Sequence, residues 1–119
     1  MFVFAFNKLR TVSGLAACAV VLALSAGEVA ANAAADYWPK ARFGNKTCFT
    51  THTHYGESTV WPSKASAERH AAREWERFTK WEYGPTWASY RLARVVNMKC
   101  NRSGSGWVCS TTAYPCRQG

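Results

Sequence analysis

S-K-A-S-A-E-R-H-A-A-R-E-W-E-R-F-T-K-W-E-Y-G-P, Ser63 to Pro85, is the stretch on which the fold turns. Ala67, Ala71, Trp75, Phe78 and Trp81 (or Glu82) recur at three- and four-residue spacing, which predicts one apolar face of a helix running from Lys64 to Tyr83. Ser63 follows Pro62 and is suited to the N-cap, because its hydroxyl can accept a backbone N–H that has no partner inside the helix. Gly84 and Pro85 stop it. Glycine can take the left-handed conformation that ends a helix, and proline cannot continue one.

Downstream, two segments alternate in polarity. Trp87 to Cys100 places Ala88, Tyr90, Leu92, Val96, Met98 and Cys100 on one side, with Arg94 as a lapse; Trp107 to Tyr114 places Trp107, Cys109, Thr111 and Ala113 together. Asn101 to Gly106 between them is turn chemistry. A two-residue loop at Gly104-Ser105 sets Cys100 opposite Cys109, close enough for a cross-strand disulfide. Upstream, Lys46 to His54 is rich in threonine and aromatic residues and reads as a strand. Tyr55-Gly56-Glu57 reads as a turn, Ser58 to Trp61 as a short return strand, and Asp36 to Asn45 as an irregular lead-in broken by Pro39 and Gly44. The expected order is β(β)αββ, an α+β domain with one long helix across a small antiparallel sheet of three to four strands.

The chain begins like an exported one. Lys8 and Arg10 precede an apolar stretch from Thr11 to Ala26, and Ala31-Asn32-Ala33 fits a cleavage site, so residues 1–33 read as a secretory signal peptide and 34–119 as a single domain. Leu15-Ala16-Ala17-Cys18 also fits a lipoprotein box, but the apolar run continues past Cys18. That run is shorter than the ~20 residues of a spanning helix, so no transmembrane anchor is expected. Losing Lys8, Arg10, Glu28 and Cys18 leaves thirteen Lys or Arg against six Asp or Glu, a net charge of +7, and four cysteines. An even count in a short exported chain implies two disulfides. With Cys100 assigned to Cys109, Cys48 pairs with Cys116. The cysteine spacings are too wide for a structural zinc held by four thiolates.

A-E-R-H-A-A-R-E-W (Ala67 to Trp75), Y-G-P-T-W-A (Tyr83 to Ala88), Cys100, W-V-C (Trp107 to Cys109) and A-Y-P-C (Ala113 to Cys116) resemble the pattern of a set of small exported bacterial proteins. These share an alanine-rich helix ending in Trp, a Tyr/His-Gly-x-x-Trp turn, and a cysteine-rich hairpin closing with Pro-Cys. The resemblance covers about half the mature chain. It implies fold and export and assigns no site.

Three constellations carry possible chemistry. His52-Thr53-His54 is an H-x-H pair: on a strand both imidazoles share a face and can grip one metal ion, with His70 or Glu57 completing the set. The ordinary alternative is two solvated residues opposite the buried Phe49. The same pair could serve a small nuclease as general acid and base, but no nucleophile elbow or cofactor motif is present, so no catalytic residue and no cofactor are expected. Arg69, Arg73, Arg77 and Lys80 form a helical ridge, with Arg91 and Arg94 nearby, suited to an anionic glycan or lipid surface of the envelope rather than nucleic acid. Interleaved Glu68, Glu74, Glu76 and Glu82 make an ordinary solvated helix the competing reading. Tyr37-Trp38, beside Lys40 and Arg42, suits stacking on a sugar or at a membrane interface. The sequence thus reads as a non-enzymatic, exported binding or interaction module whose partner is an anionic envelope polymer, a lipid surface or an envelope protein.

Overall fold

The structure is a computed structural model that describes residues 33–119. The expected leader and Cys18 lie outside the described residues. The class is α+β, with the strands divided between two three-stranded antiparallel sheets. Strands β1 (Lys40–Phe43), β2 (Lys46–Phe49) and β6 (Cys116–Gln118) form one sheet in the order β1-β2-β6. Strands β3 (His54–Glu57), β5 (Gly106–Tyr114) and β4 (Arg94–Ser103) form the other in the order β3-β5-β4. Helix α1 (Lys64–Tyr83) lies between β3 and β4 in the chain, followed by a 3-10 turn at Pro85–Trp87. Among the described residues no helix is long and apolar enough to cross a membrane.

The helix starts and stops where its caps are. Ser63 accepts the Ser66 N–H at 3.1 Å, and Gly84, at φ 86°, donates its N–H to Lys80 O at 2.9 Å. Its buried row is Ala67, Ala71, Trp75, Thr79 and Tyr83, a strict four-residue repeat. Phe78 and Trp81, expected on the core side, stand 45% and 77% exposed. The cause is the direction of the row: α1 crosses the β3-β5-β4 sheet and continues over the other, so its last buried ring, Tyr83, packs on Phe49 of β2 and on Trp87. Thr79 is tolerated inside because its hydroxyl donates to Trp75 O at 2.7 Å. Trp75 itself is sealed between Ala93 and Ala113, and its indole N–H reaches Ala113 O at 3.3 Å.

Gly56 explains the most consequential difference from the expected pattern. Tyr55-Gly56-Glu57 is strand, not turn, and its partners on β5 are Thr112, Thr111 and Ser110. A Cβ on Gly56 would stand 2.4 Å from Ala71 O and 2.5 Å from Trp75 N. The glycine is there to let the α1 backbone lie directly on β3, which the small Ala67 and Ala71 also permit. The stretch Lys46 to His54 is likewise two strands. The chain leaves one sheet after Phe49 and enters the other at His54, and it returns at Pro115, whose carbonyl accepts the Phe49 N–H at 3.0 Å. The lead-in contains β1, hairpinned to β2 through Gly44 at φ 63°. Ser58 to Trp61 forms no strand; it meets β5 through a bridge between Trp61 and Trp107 and through Ser58, whose N–H donates to Cys109 O at 2.9 Å.

The β4-β5 hairpin turns at Gly104-Ser105 and sets Cys100 opposite Cys109, up to a bulge between Val95 and Asn97. That bulge turns Val96 outward, 56% exposed, where simple alternation had it inside. Cys100–Cys109 and Cys48–Cys116 are the two disulfides, the second joining β2 to β6.

Candidate metal centre

The joint where the chain passes between sheets is also where chemistry collects. His52 sits in the bend before β3, His54 is the first residue of β3, and Glu82 is in the last turn of α1. One ligand atom from each lies within 4.8 Å of the others. The two histidines meet because the chain bends: their rings stand edge to face at 5.4 Å, and His52 lies flat on Trp38 at 4.0 Å. Glu82, not His70 or Glu57, is the third group. His70 packs on Trp61 at 5.0 Å, and Glu57 accepts the Tyr55 hydroxyl.

His54 defines the electrostatics. It is 3% exposed, and its Nδ1 lies 2.9 Å from Thr79 Oγ1. The Thr79 proton is committed to Trp75 O, so the hydroxyl accepts from Nδ1–H and the ring lone pair falls on Nε2. Nε2 stands 2.9 Å from Glu82 Oε2, but the carboxylate is off the ring axis and no aligned hydrogen bond forms. Burial lowers the His54 pKa; Glu82 opposes this, and His52 adds to it. A neutral imidazole therefore aims a buried, unpartnered lone pair into a space edged by a carboxylate. Above the pair, the Tyr83 ring stacks on His54 at 4.9 Å, and burial, with Glu82 beside it, pushes its phenol well above the usual tyrosine range. Tyr83 remains a neutral phenol with its hydroxyl unpaired.

Two imidazoles and a carboxylate form a donor set for Zn(II) or Cu(II). Bonds of about 2.0–2.2 Å put tetrahedral ligand atoms roughly 3.4 Å apart, against separations here of no more than 4.8 Å. Thr79 holds the far nitrogen of His54 as an outer partner commonly holds a ligating histidine. The His54 side chain is 1% exposed, so of the two imidazoles only the half-buried His52 meets solvent.

The basic residues are dispersed by comparison. Arg69, Arg73, Arg77 and Lys80 are exposed along the outer face of α1; Arg69 donates to Ser66 Oγ and Arg77 to Glu74. Arg91 is exposed in the turn beyond the helix. Arg94 is not part of this ridge: its guanidinium lies 3.8 Å over Phe43 and 5.2 Å from Tyr114, tying the two sheets together. Tyr37 is 80% exposed, but Trp38 is half-buried against the core and His52, with Lys40 Nζ bonded to its carbonyl. No known protein family, curated protein or solved structure matches the chain.

Proposed function

We propose that this protein is an exported, disulfide-stapled domain that binds a divalent transition metal through His52, His54 and Glu82. The observation that carries the reading is the buried His54 Nε2, a lone pair with no hydrogen-bond partner beside a carboxylate. In a dry site a lone pair facing an anion is unfavourable, and a cation between them removes the conflict. Three protein ligands leave a fourth position for water on the side where Glu82 is 31% exposed. Export agrees with two disulfides in so small a domain and with the basic-apolar leader of the sequence.

Native mass spectrometry of the oxidised protein, loaded with Zn(II) or Cu(II) after chelation, tests the site. The expected result is one ion per chain, weakened about 10- to 100-fold in His52→Ala and in Glu82→Gln, whose side chains are not fully buried. Binding that survives both substitutions, or no stoichiometric adduct in the parent protein, refutes the proposal. The exposed ridge supports a second association, with anionic envelope polymers, which is charge-driven and does not involve the histidines.

A further inference from the structure

On the other side of Phe78 from the metal centre, α1 and β3 enclose a groove of about 430 Å³ lined by Tyr55, Glu57, Glu74, Arg77, Phe78 and Trp81. We infer that this groove is a binding site for an organic ammonium ion of the trimethylammonium type. Three aromatic side chains, Tyr55, Phe78 and Trp81, stand 45% to 77% open to water here, in a domain that buries Trp75, Tyr83, Phe49 and Trp87. Phe78 and Trp81 sit one turn apart on α1 with their rings 6.0 Å apart and 23° from parallel, forming one wall. Tyr55 belongs to β3.

Charge selects the occupant. Glu74 is neutralised by Arg77, whereas Glu57 forms no ion pair among the described residues and accepts only the Tyr55 hydroxyl. The groove therefore carries an excess negative charge on a chain whose formal net charge is +8. Aromatic faces attract cations through their quadrupole, and a weakly hydrated ammonium ion leaves water for such a wall at little cost. A carboxylate alone would hold a metal ion or a lysine; a carboxylate beside three aromatic side chains favours a cation with an apolar shell. The volume is that of a small-molecule site. The inference does not depend on the metal centre, since none of its ligands lines the groove.

Titration of the oxidised protein with choline, followed by calorimetry, tests it against two comparison ligands: 3,3-dimethylbutan-1-ol, the uncharged isostere of choline, and maltose. Choline is expected to bind in the millimolar range, with the isostere at least about tenfold weaker. Trp81→Ala and Glu57→Gln each weaken choline about three- to tenfold and leave the thermal midpoint near that of the parent, because both side chains are exposed. His52→Ala leaves choline binding unchanged. Equal affinity for the isostere, tighter binding of maltose, indifference to both substitutions, or no saturation with choline below about 100 mM overturns the inference. Co-sedimentation with phosphatidylcholine vesicles, reversed by free choline, assigns the ion to a lipid headgroup; its absence assigns it to a free solute.

Discussion

Replacing Cys48 and Cys116 together by alanine opens a ring that spans 68 residues, whereas the same change at Cys100 and Cys109 opens one that spans 9. If the bridges act chiefly by restricting the unfolded chain, the loss at 25 °C is about 4.4 kcal/mol for the first and about 2.6 kcal/mol for the second. Two sulfurs are removed in either variant, so most of the lost packing cancels and a difference of about 1.8 kcal/mol remains. In a domain of this size that separates the two thermal midpoints by roughly 7–14 °C. Urea unfolding without reductant measures the free energies directly, and a similar slope for the two variants confirms that the same surface is exposed. Equal losses, or a larger loss at Cys100–Cys109, would show that the bridges stabilise through native contacts and not through chain entropy.

Gly56→Ala is expected to cost about 3 kcal/mol or more, because the new methyl meets backbone atoms of Ala71 and Trp75 that cannot rotate away. Gly104→Ala, with open space but φ +61°, is expected to lose only about 1–2 kcal/mol; similar midpoints for the two would sink the close-packing argument. In the metal-free protein, the lowered His54 pKa means the unfolded chain binds the extra proton more readily. Stability is then fully present above the ordinary imidazole value of about 6.5 and falls as the pH drops from there through the folded value. Unfolding at pH 7.5 and 5.5 with chelator present checks this, and a gain on acidification would mean the Glu82 attraction outweighs burial. Retention on a heparin column is expected to fall steeply with salt and to weaken when Arg69, Arg73 and Lys80 are changed to Gln, all three being exposed on α1; retention unmoved by these changes would place the polyanion contact elsewhere.

Local rules were legible in the sequence and longer-range geometry was not. Ser63 and Gly84-Pro85 mark the ends of α1 because capping and stopping depend on residues a few positions apart. The Cys100–Cys109 register follows from a two-residue turn for the same reason. The division into two sheets has no such mark: Thr50 to Thr53 contains neither glycine nor proline, and threonine suits a strand as well as a bend. Gly56 was misleading because the same residue serves a turn and a close approach. Trp81 stands in water because the buried row follows the crossing angle of α1, which periodicity alone does not contain. At the site, the histidine pair is visible from spacing. Glu82 and Thr79 are not, since only the folded chain brings the end of α1 against the start of β3.

The contact at Gly56 gives a way to recognise kin of this chain when overall similarity is too low to help. A position with no room for even a methyl group admits one amino acid, whatever happens around it. A distant sequence that keeps a lone glycine in the strand before the helix, two alanines four apart in that helix and a tryptophan after them has kept the geometry of the interface. One that places a larger residue there has adopted another architecture, however well its cysteines align.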